Sequence, residues 1–411
     1  MMKSLLKIVK RGKMQLDKIF DSLSKNSLFD NKFILQTSYT PESIPHRDKQ
    51  IEQVASILAP ALKGERPSNL FVYGQTGTGK TLSVQFVRNE MLKRAAKNLS
   101  PLRFEYLNCK LKKVSDTEYR ILAELIKKIG SSVPATGLPT DQVYNKFVDI
   151  IEQEKKVFVL ILDEIDQAVK KISDGFLYNL TRLNSELSSS QISLIGISND
   201  LKFLESLDPR VKSSLSEEEL VFPPYNAIQL QEILKDRADR AFKKNVLEEG
   251  VVSKCAAYAA REHGDARRAL DLLRVSGELA ERDGSKKVKI EHVDLANEKI
   301  DKDKIVEVVE SAPRQFQLVL SAIINTVEKK QDKIFTGDIY EVYRELCLRQ
   351  RCEVLTQRRV SDIIAEIDML GLINAKVISK GRHGRTREIR LAIPENILNK
   401  VRTILSGSAN M

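Results

Sequence analysis

Residues 74–81 read Gly-Gln-Thr-Gly-Thr-Gly-Lys-Thr, which is the composition and spacing of a phosphate-binding loop. Glycines let backbone N–H groups turn inward around phosphates, and the helix that follows such a loop adds its positive N-terminal end. We expect Lys80 to contact the β- and γ-phosphates of ATP, and the Thr81 hydroxyl to bind Mg²⁺. The predicted phosphate site comprises Gly74, Gln75, Thr76, Gly77, Thr78, Gly79, Lys80 and Thr81.

The segments around this loop supply the strand–loop–helix context that phosphate binding requires. An apolar run at residues 70–73 precedes the loop, and a helical pattern at residues 82–87 follows it. The competing interpretation, a fortuitous glycine-rich turn, requires neither element. Further upstream, a proline-containing lead-in with Pro45, His46 and Arg47 opens a predicted helix, and such a segment can lie against an adenine base.

An acidic pair, Asp163 and Glu164, ends the six-residue apolar run at residues 157–162. Such a run is typical of a strand buried on both faces, and ligands of open α/β sheets bind at the carboxyl ends of strands. We therefore expect Asp163 to hold the Mg²⁺ shell and Glu164 to activate water. For Asp166 two interpretations stay open, a role in this site or favourable charge at the start of a helix.

Three further side chains are candidates for sensing the nucleotide. Asn199 ends the strand expected beside residues 157–162, so its amide either orients the attacking water or only closes an Asx turn. Arg267 opens a helix behind the capping residue Asp265, and an arginine there is better explained by an anion than by helix stability. Arg210, predicted in a loop before the last strand, is either an arginine finger for a neighbouring subunit or part of an internal salt bridge.

Alternating strands and helices predict a parallel five-stranded αβα P-loop core, because few other arrangements accommodate right-handed crossovers. Beside the strand before the loop, we predict strands at 103–108, 157–162, 192–198 and 219–222. Helical patterns without strands follow, and then three helices with a basic hairpin, typical of a winged helix. The predicted domains are a basic arm at 1–18, the core at 19–225, a helical lid at 226–302 and a winged helix at 303–411.

The winged helix and a predicted insertion helix at 116–129 carry the candidate DNA contacts. Thr, Gln and Arg side chains open the third helix of the winged helix, where base edges and phosphates are within reach. Its buried face is predicted to comprise Val360, Ile363, Ile364, Ile367 and Leu370. The predicted DNA-binding residues are Lys112, Lys113, Arg120, Thr356, Gln357, Arg358, Arg359, Ser361, Arg382, His383 and Arg385. A plain surface helix and a protein-binding wing are the competing interpretations.

Composition bounds the class of protein. The 411 residues carry a net charge of +11, which favours a polyanionic partner, although most of the 30% charged residues are expected to be solvated surface. Four scattered cysteines show no paired metal-binding spacing and predict reduced thiols in a cytosolic compartment. The N-terminal residues lack the apolar core of a signal peptide, and no run of eighteen apolar residues occurs, so neither export nor membrane spanning is predicted.

Together these motifs resemble the archaeal origin-recognition and helicase-loader family, AAA+ replication initiators similar to the largest eukaryotic origin-recognition subunit and its cell-division-cycle paralogue. The resemblance extends from the lead-in at 39–48, through the P-loop, the acidic pair and 264–267, to the hairpin tip at 381–386. It implies ATP or ADP with Mg²⁺ between core and lid, and an insertion near 111–130 that touches double-stranded origin DNA. It also implies recruitment of the minichromosome-maintenance helicase, a paralogous initiator on adjacent DNA, and a cytoplasmic location on chromosomal DNA.

The sequence predicts a slow ATPase whose bound nucleotide sets the angle between core and lid and so alters how the protein engages DNA, and three alternatives compete with this hypothesis. A clamp-loader subunit is disfavoured because it is not expected to end in a DNA-binding wing. A winged-helix transcription regulator with an AAA+ ATPase would typically carry ligand-sensing repeats, and none is found. A nucleotide-locked DNA-binding protein with negligible turnover stays open, since an acidic pair permits hydrolysis without setting its rate.

Overall fold

A computed structural model of the chain describes residues 27–110, 117–134, 137–330, 333–379 and 385–407. The predicted basic arm at 1–18 therefore lies outside the described residues. The chain divides into two compact units, the first ending at Val293 and the second beginning at Asp294. Within the described ranges, no helix combines the length and apolar character needed to cross a membrane.

The first unit is built on a five-stranded parallel sheet, which confirms the predicted core. Its strands lie in the order β2-β3-β4-β1-β5, and they are β1 (Leu70–Tyr73), β2 (Leu102–Asn108), β3 (Val157–Asp163), β4 (Gln191–Ser198) and β5 (Glu218–Val221). Every residue of the interior strand β3, which lies between β2 and β4, is buried. An uninterrupted apolar run is therefore stable there, because helices cover both faces of the sheet.

Alternate residues of β3 point to opposite faces and enter two separate cores. Phe158 and Leu160 pack with the helices on one face, while Val159 and Ile161 pack with those on the other. The helices of this core are α1 (Asp48–Leu58), α2 (Lys80–Asn98), α3 (Glu118–Ile129), α4 (Thr140–Glu154), α5 (Ile165–Ile172), α6 (Gly175–Arg182) and α7 (Pro209–Leu215). The predicted αβα sandwich is confirmed.

The lid follows as a helical segment, as predicted. Its helices are α8 (Ala227–Ala241), α9 (Val251–Arg261) and α10 (Ala266–Arg282), while α11 (Ile290–Ser311) begins in the first unit and ends in the second. A capping box starts α8. The Asn226 side chain accepts from the backbone N–H of Gln229, and the Gln229 side chain accepts from the backbone N–H of Asn226. Helix α11 runs unbroken through the predicted boundary between residues 302 and 303, so that boundary stays a prediction.

The second unit has the winged-helix fold that the sequence predicts. Its elements are α12 (Arg314–Lys329), β6 (Ile334–Phe335), α13 (Thr336–Arg349), α14 (Gln357–Met369), β7 (Ile373–Ser379), β8 (Arg385–Leu391) and α15 (Glu395–Gly407). The antiparallel strands lie in the order β6-β8-β7. The sequence did not predict β6 or α15, since a two-residue strand carries no periodic pattern. Leu370 was wrongly placed in the buried face of α14, because it follows the helix as its C-cap and is 44% exposed.

Candidate nucleotide site and DNA-binding surfaces

The P-loop connects β1 to α2 and holds Lys80 at the first position of that helix. Gly77 and Gly79 adopt φ values of +73° and +87°, which side chains disfavour. The Lys80 ammonium donates to the carbonyl oxygens of Gly74 and Gln75, at 2.7 and 2.8 Å, and to Asn199 Oδ1 at 2.9 Å. Burial lowers the Lys80 pKa to about 8. The lysine is thus a desolvated cation whose donors all point into one small region.

The acidic pair lies at the carboxyl end of β3, beside the P-loop. Oδ2 of Asp163 accepts from the hydroxyl of Thr81 at 3.0 Å and from that of Tyr106 at 2.7 Å. Its Oδ1 accepts from the backbone N–H of Glu164 at 3.0 Å. Glu164 has a φ of +54°, the kind of local strain that clusters at functional sites. Thr81 and Asp163 therefore present oxygen atoms side by side, as Mg²⁺ ligation requires.

Asp166, for which two interpretations were open, is buried in the first turn of α5. Its Oδ1 accepts from the hydroxyl of Ser198 at 3.1 Å, and its Oδ2 from the side-chain amide of Gln167 at 2.7 Å. The bond with Ser198 ties α5 to the end of β4. Asp166 therefore supports the elements that carry the site, and it does not line the cavity described next.

A cavity in the first unit collects residues from the lead-in, the P-loop, the strand ends and the lid. It is lined by Gln36, Thr37, Tyr39, Pro41, Ser43, Ile44, Pro45, Gly77, Gly79, Lys80, Thr81, Leu82, Tyr106, Asn108, Asp163, Glu164, Asn199, Tyr225, Ile233, Asp236, Arg237, Ala266, Arg267 and Leu270. The lining combines apolar side chains, among them Ile44, Ile233 and Leu270, with the charged side chains of Lys80, Asp163 and Arg267. Such a lining offers apolar contacts to a base and charged groups to phosphates and a metal ion.

Within the predicted lead-in, Pro45 lines this cavity, whereas His46 and Arg47 are not among its lining residues. Arg47 is 2% exposed, and its Nε donates to the carbonyl of Thr78 at 2.8 Å. Its guanidinium carbon lies 3.9 Å from the ring centroid of Tyr225. His46 Nε2 lies 2.8 Å from a carboxylate oxygen of Glu232. Arg47 therefore supports the P-loop through its hydrogen bond to the Thr78 backbone.

The lid reaches the P-loop through the start of α10. The Asp265 carboxylate caps this helix, accepting from the backbone N–H groups of Arg267 at 2.7 Å and Arg268 at 3.3 Å. The N–H of Ala266 donates to the Gly77 carbonyl at 3.2 Å. A Cβ on Gly77 would lie 1.7 Å from the Asp265 carboxylate, so only glycine permits this approach. The structure thus brings Arg267 into the cavity beside Lys80.

Arg210 lies in the first turn of α7 and not in a loop, which corrects the predicted setting. Asp208 caps this helix, and its carboxylate binds the Arg210 guanidinium in two hydrogen bonds of 3.1 Å. This internal ion pair, which lowers the pKa of the Asp208 carboxyl, is the competing interpretation given above. Arg210 does not line the cavity of its own chain. Its action on a neighbouring subunit stays a prediction.

The described part of the predicted DNA surface centres on the start of α14. Thr356 caps this helix, and the side chains of Thr356, Gln357, Arg358 and Arg359 are exposed. Ser361 is half-buried, and its carbonyl and hydroxyl accept from the guanidinium of Arg387 at 2.6 and 3.2 Å. Strand β8 is thereby fixed to α14 within the second unit.

Of the remaining predicted DNA-binding residues, the structure describes the side chain of Arg120 alone. Arg120 is exposed in the first turn of α3. Lys112, Lys113, Arg382 and His383 lie outside the described residues. Arg385 begins β8, and its side chain is likewise outside the description.

Sequence reasoning missed several residues that line the cavity, among them Tyr106 and Arg237. Tyr106 was assigned only to a strand, yet its hydroxyl bonds to Asp163. Arg237, in α8, is 7% exposed, donates to the carbonyl of Ile34 at 3.2 Å, and lies over the Tyr39 ring at 4.5 Å. The sequence feature that could have identified Arg237 is its position on the otherwise apolar face of a helix. Nothing in the local sequence marks Tyr106, because its contact depends on how the strands are ordered.

A P-loop sheet of this strand order, with its own helical lid and with acids at the carboxyl end of β3, defines the AAA+ ATPase class. This chain adds a winged helix to it. Three family models match accordingly: an "AAA domain" over residues 63–204, a "Cdc6 AAA+ ATPase-type lid domain" over 231–298, and a "CDC6, C terminal winged helix domain" over 307–401.

Whole-chain comparisons identify the family. An ORC1-type DNA replication protein of Pyrococcus abyssi is 54% identical, over 95% of this chain and 94% of the relative. An ORC1-type DNA replication protein 1 of Sulfurisphaera tokodaii is 49% identical, over 94% and 95%. The solved Aeropyrum pernix ORC1 protein, in complex with DNA, is 44% identical with a TM-score of 0.83, over 92% of this chain and 97% of that one. The chain belongs to the ORC1-type DNA replication proteins.

Proposed function

We propose that this protein is a replication initiator that binds double-stranded origin DNA under the control of bound ATP or ADP. The observation that carries the proposal is the convergence of Lys80, the Thr81–Asp163 pair and Arg267 on one cavity. The similar Aeropyrum pernix protein, whose structure is a complex with DNA, supports the DNA-binding part. The acidic pair supports hydrolysis of ATP to ADP and phosphate, for which we propose a slow rate.

The charged residues of the cavity lining fit a nucleotide phosphate group and its metal ion. In place of the backbone carbonyls that it now contacts, the Lys80 ammonium would donate to phosphate oxygens. Thr81 and Asp163 would hold Mg²⁺, which neutralises phosphate charge when bound. Arg267, at the start of α10, lies where it can bind the terminal phosphate from the lid side. Glu164 follows the metal-binding carboxylate directly, where a base that activates water is needed.

Duplex DNA is the partner that the exposed start of α14 fits best. Arg358 and Arg359 offer phosphate contacts, and Thr356 and Gln357 are polar groups that can reach base edges. We propose that the winged helix contacts origin DNA through this face and through its wing. Recruitment of the minichromosome-maintenance helicase, binding beside a paralogous initiator, and a location on chromosomal DNA complete the proposal, as the family resemblance implies.

A single substitution tests the hydrolytic part. We expect Glu164→Gln to lower the ATPase kcat by about 100-fold while ATP affinity changes less than about threefold, because a general base acts on the chemical step. The measurement is phosphate release at saturating ATP, with nucleotide affinity determined separately. An unchanged kcat would remove Glu164 from its proposed role. A wild-type protein that binds ATP without turnover would instead favour the nucleotide-locked alternative.

The DNA-binding part needs a footprint. We expect the protein to protect a discrete segment of origin duplex from nuclease cleavage, with a different extent or affinity in ATP and in ADP. A scrambled duplex of equal length and composition is the control, since phosphate contacts alone would protect both equally. Equal protection of the two duplexes would contradict recognition of an origin sequence. Identical footprints in ATP and ADP would contradict nucleotide control.

A further inference from the structure

Tyr106 contacts the proposed metal site through another residue. Its hydroxyl donates to Oδ2 of Asp163 at 2.7 Å, and the same oxygen accepts from Thr81 at 3.0 Å. The other carboxylate oxygen accepts from the Glu164 backbone N–H at 3.0 Å. The carboxylate is therefore held by donors on both oxygens, and one of those donors comes from a strand that no nucleotide-binding motif includes.

Strand order and register explain how Tyr106 reaches this position. Strand β2 is the sheet edge, and it pairs with β3 so that Asn108 lies opposite Asp163 and Tyr106 opposite Ile161. Side chains two residues apart on a strand share a face, so Tyr106 and Asp163 are diagonal neighbours on the same face. The Tyr106 ring packs against the core on that face, which leaves its hydroxyl at the cavity.

We propose that Tyr106 is a positioning residue that holds the Asp163 carboxylate in the orientation that Mg²⁺ binding requires. The inference rests on the proposed nucleotide function. Mg²⁺ demands near-ideal octahedral geometry, and hydrogen-bond donors behind a ligating carboxylate fix its direction. The Tyr106 hydroxyl is the donor of this hydrogen bond, because an ionised carboxylate can only accept. A phenylalanine would fill the same volume but could not orient the carboxylate.

The test separates metal binding from nucleotide binding. For Tyr106→Phe we expect the Mg²⁺ concentration at the midpoint of Mg²⁺-enhanced ADP binding to rise about three- to tenfold, the worth of one such hydrogen bond. ADP affinity in EDTA should change less than about twofold. Both quantities are measured by calorimetric titration of nucleotide-free protein, so neither depends on turnover. An unchanged Mg²⁺ midpoint, or an equal loss of affinity in EDTA, would overturn the inference.

Tyr73 provides a matched control on the neighbouring part of the sheet. It lies at the end of β1, and its hydroxyl is 3.4 Å from a carboxylate oxygen of Glu219, outside the cavity lining. Tyr73→Phe makes the same chemical change without touching Asp163. Its Mg²⁺ midpoint should match that of the wild type, and a rise as large as that of Tyr106→Phe would contradict a specific role for Tyr106.

A double-mutant cycle distinguishes failure of this inference from failure of the proposed function. If Tyr106 acts through Asp163, then Tyr106→Phe should have no further effect on the Mg²⁺ dependence in an Asp163→Asn background. Full additivity would overturn the inference. If Asp163→Asn alone leaves the Mg²⁺ dependence unchanged, then the metal site of the proposed function fails, whatever Tyr106 does.

Discussion

The nucleotide site and the predicted DNA surface position their charged groups in opposite ways. Lys80 is 4% exposed and its ammonium contacts three oxygen acceptors, whereas the Arg359 side chain is 66% exposed and its nearest ion-pair partner, Asp362, lies 3.9 Å away. The first arrangement is preorganised in a buried site, where each electrostatic interaction is strong. The second presents charge at a surface and leaves its orientation to the partner. Loss of a group should therefore cost far more in the first unit than in the second.

The largest expected effect is the loss of Lys80. We expect Lys80→Ala to weaken ATP and ADP binding about 100-fold or more, because at least two charge-assisted hydrogen bonds to phosphate are removed from a buried site. Calorimetric or fluorescence titration measures the affinity. The control is Lys93→Ala, on the same helix, where the lysine is 70% exposed and pairs with Glu90. Comparable affinity losses in the two variants would break the distinction between buried and exposed charge.

A smaller effect is expected at the surface of the second unit. Arg358→Ala combined with Arg359→Ala should weaken duplex binding about tenfold and lower the salt dependence by about two slope units, since each phosphate contact contributes close to one. Affinity is measured by fluorescence anisotropy from low to moderate salt. Lys400→Ala with Arg402→Ala removes the same charge from α15, which is not a predicted DNA contact. Equal changes in slope for the two pairs would show that net charge alone, and not the face of α14, governs binding.

In the first unit, the sequence revealed the local motifs of the nucleotide site but not its long-range contacts. Lys80, Thr81 and Asp163 follow from local patterns, because a P-loop and a strand end place them within a few residues of their function. Arg47 was expected at the base, but it bonds to the carbonyls of Thr78 and Pro223, and the second of these is 176 residues away. Bonds across such separations depend on the tertiary fold, which periodicity does not encode.

The winged helix was predictable for a similar reason and only to a similar depth. The spacing of apolar residues predicts its helices, and Val360, Ile363, Ile364 and Ile367 are buried as expected. The two-residue β6 depends wholly on its pairing with β8. The contact of Arg387 with Ser361 likewise requires the hairpin to fold back on α14. The sequence thus identified which surface is basic, but not the tertiary contacts that fix the positions of its residues.

A still smaller effect is expected in the pH dependence of nucleotide binding, which follows the protonation of the buried Lys80. Burial lowers the Lys80 pKa to about 8 in the nucleotide-free protein, and bound phosphates would raise it again. Nucleotide binding must then take up a proton above pH 8, so affinity should fall as the pH rises. Between pH 7.5 and pH 9 we expect ADP affinity to drop by up to about eightfold, with the phosphates fully ionised throughout.

Lys80→Arg provides the control for this pH effect, because a guanidinium stays protonated over the whole range. Whatever its absolute affinity, the variant should lose the decline between pH 7.5 and pH 9, as measured by calorimetry in several buffers to count protons. The exposed arginines of α14 should give duplex binding with no such pH dependence. A flat wild-type profile, or a decline that Lys80→Arg retains, would mean that the buried lysine binds phosphate as an ordinary surface cation does, and the contrast between the two units would disappear.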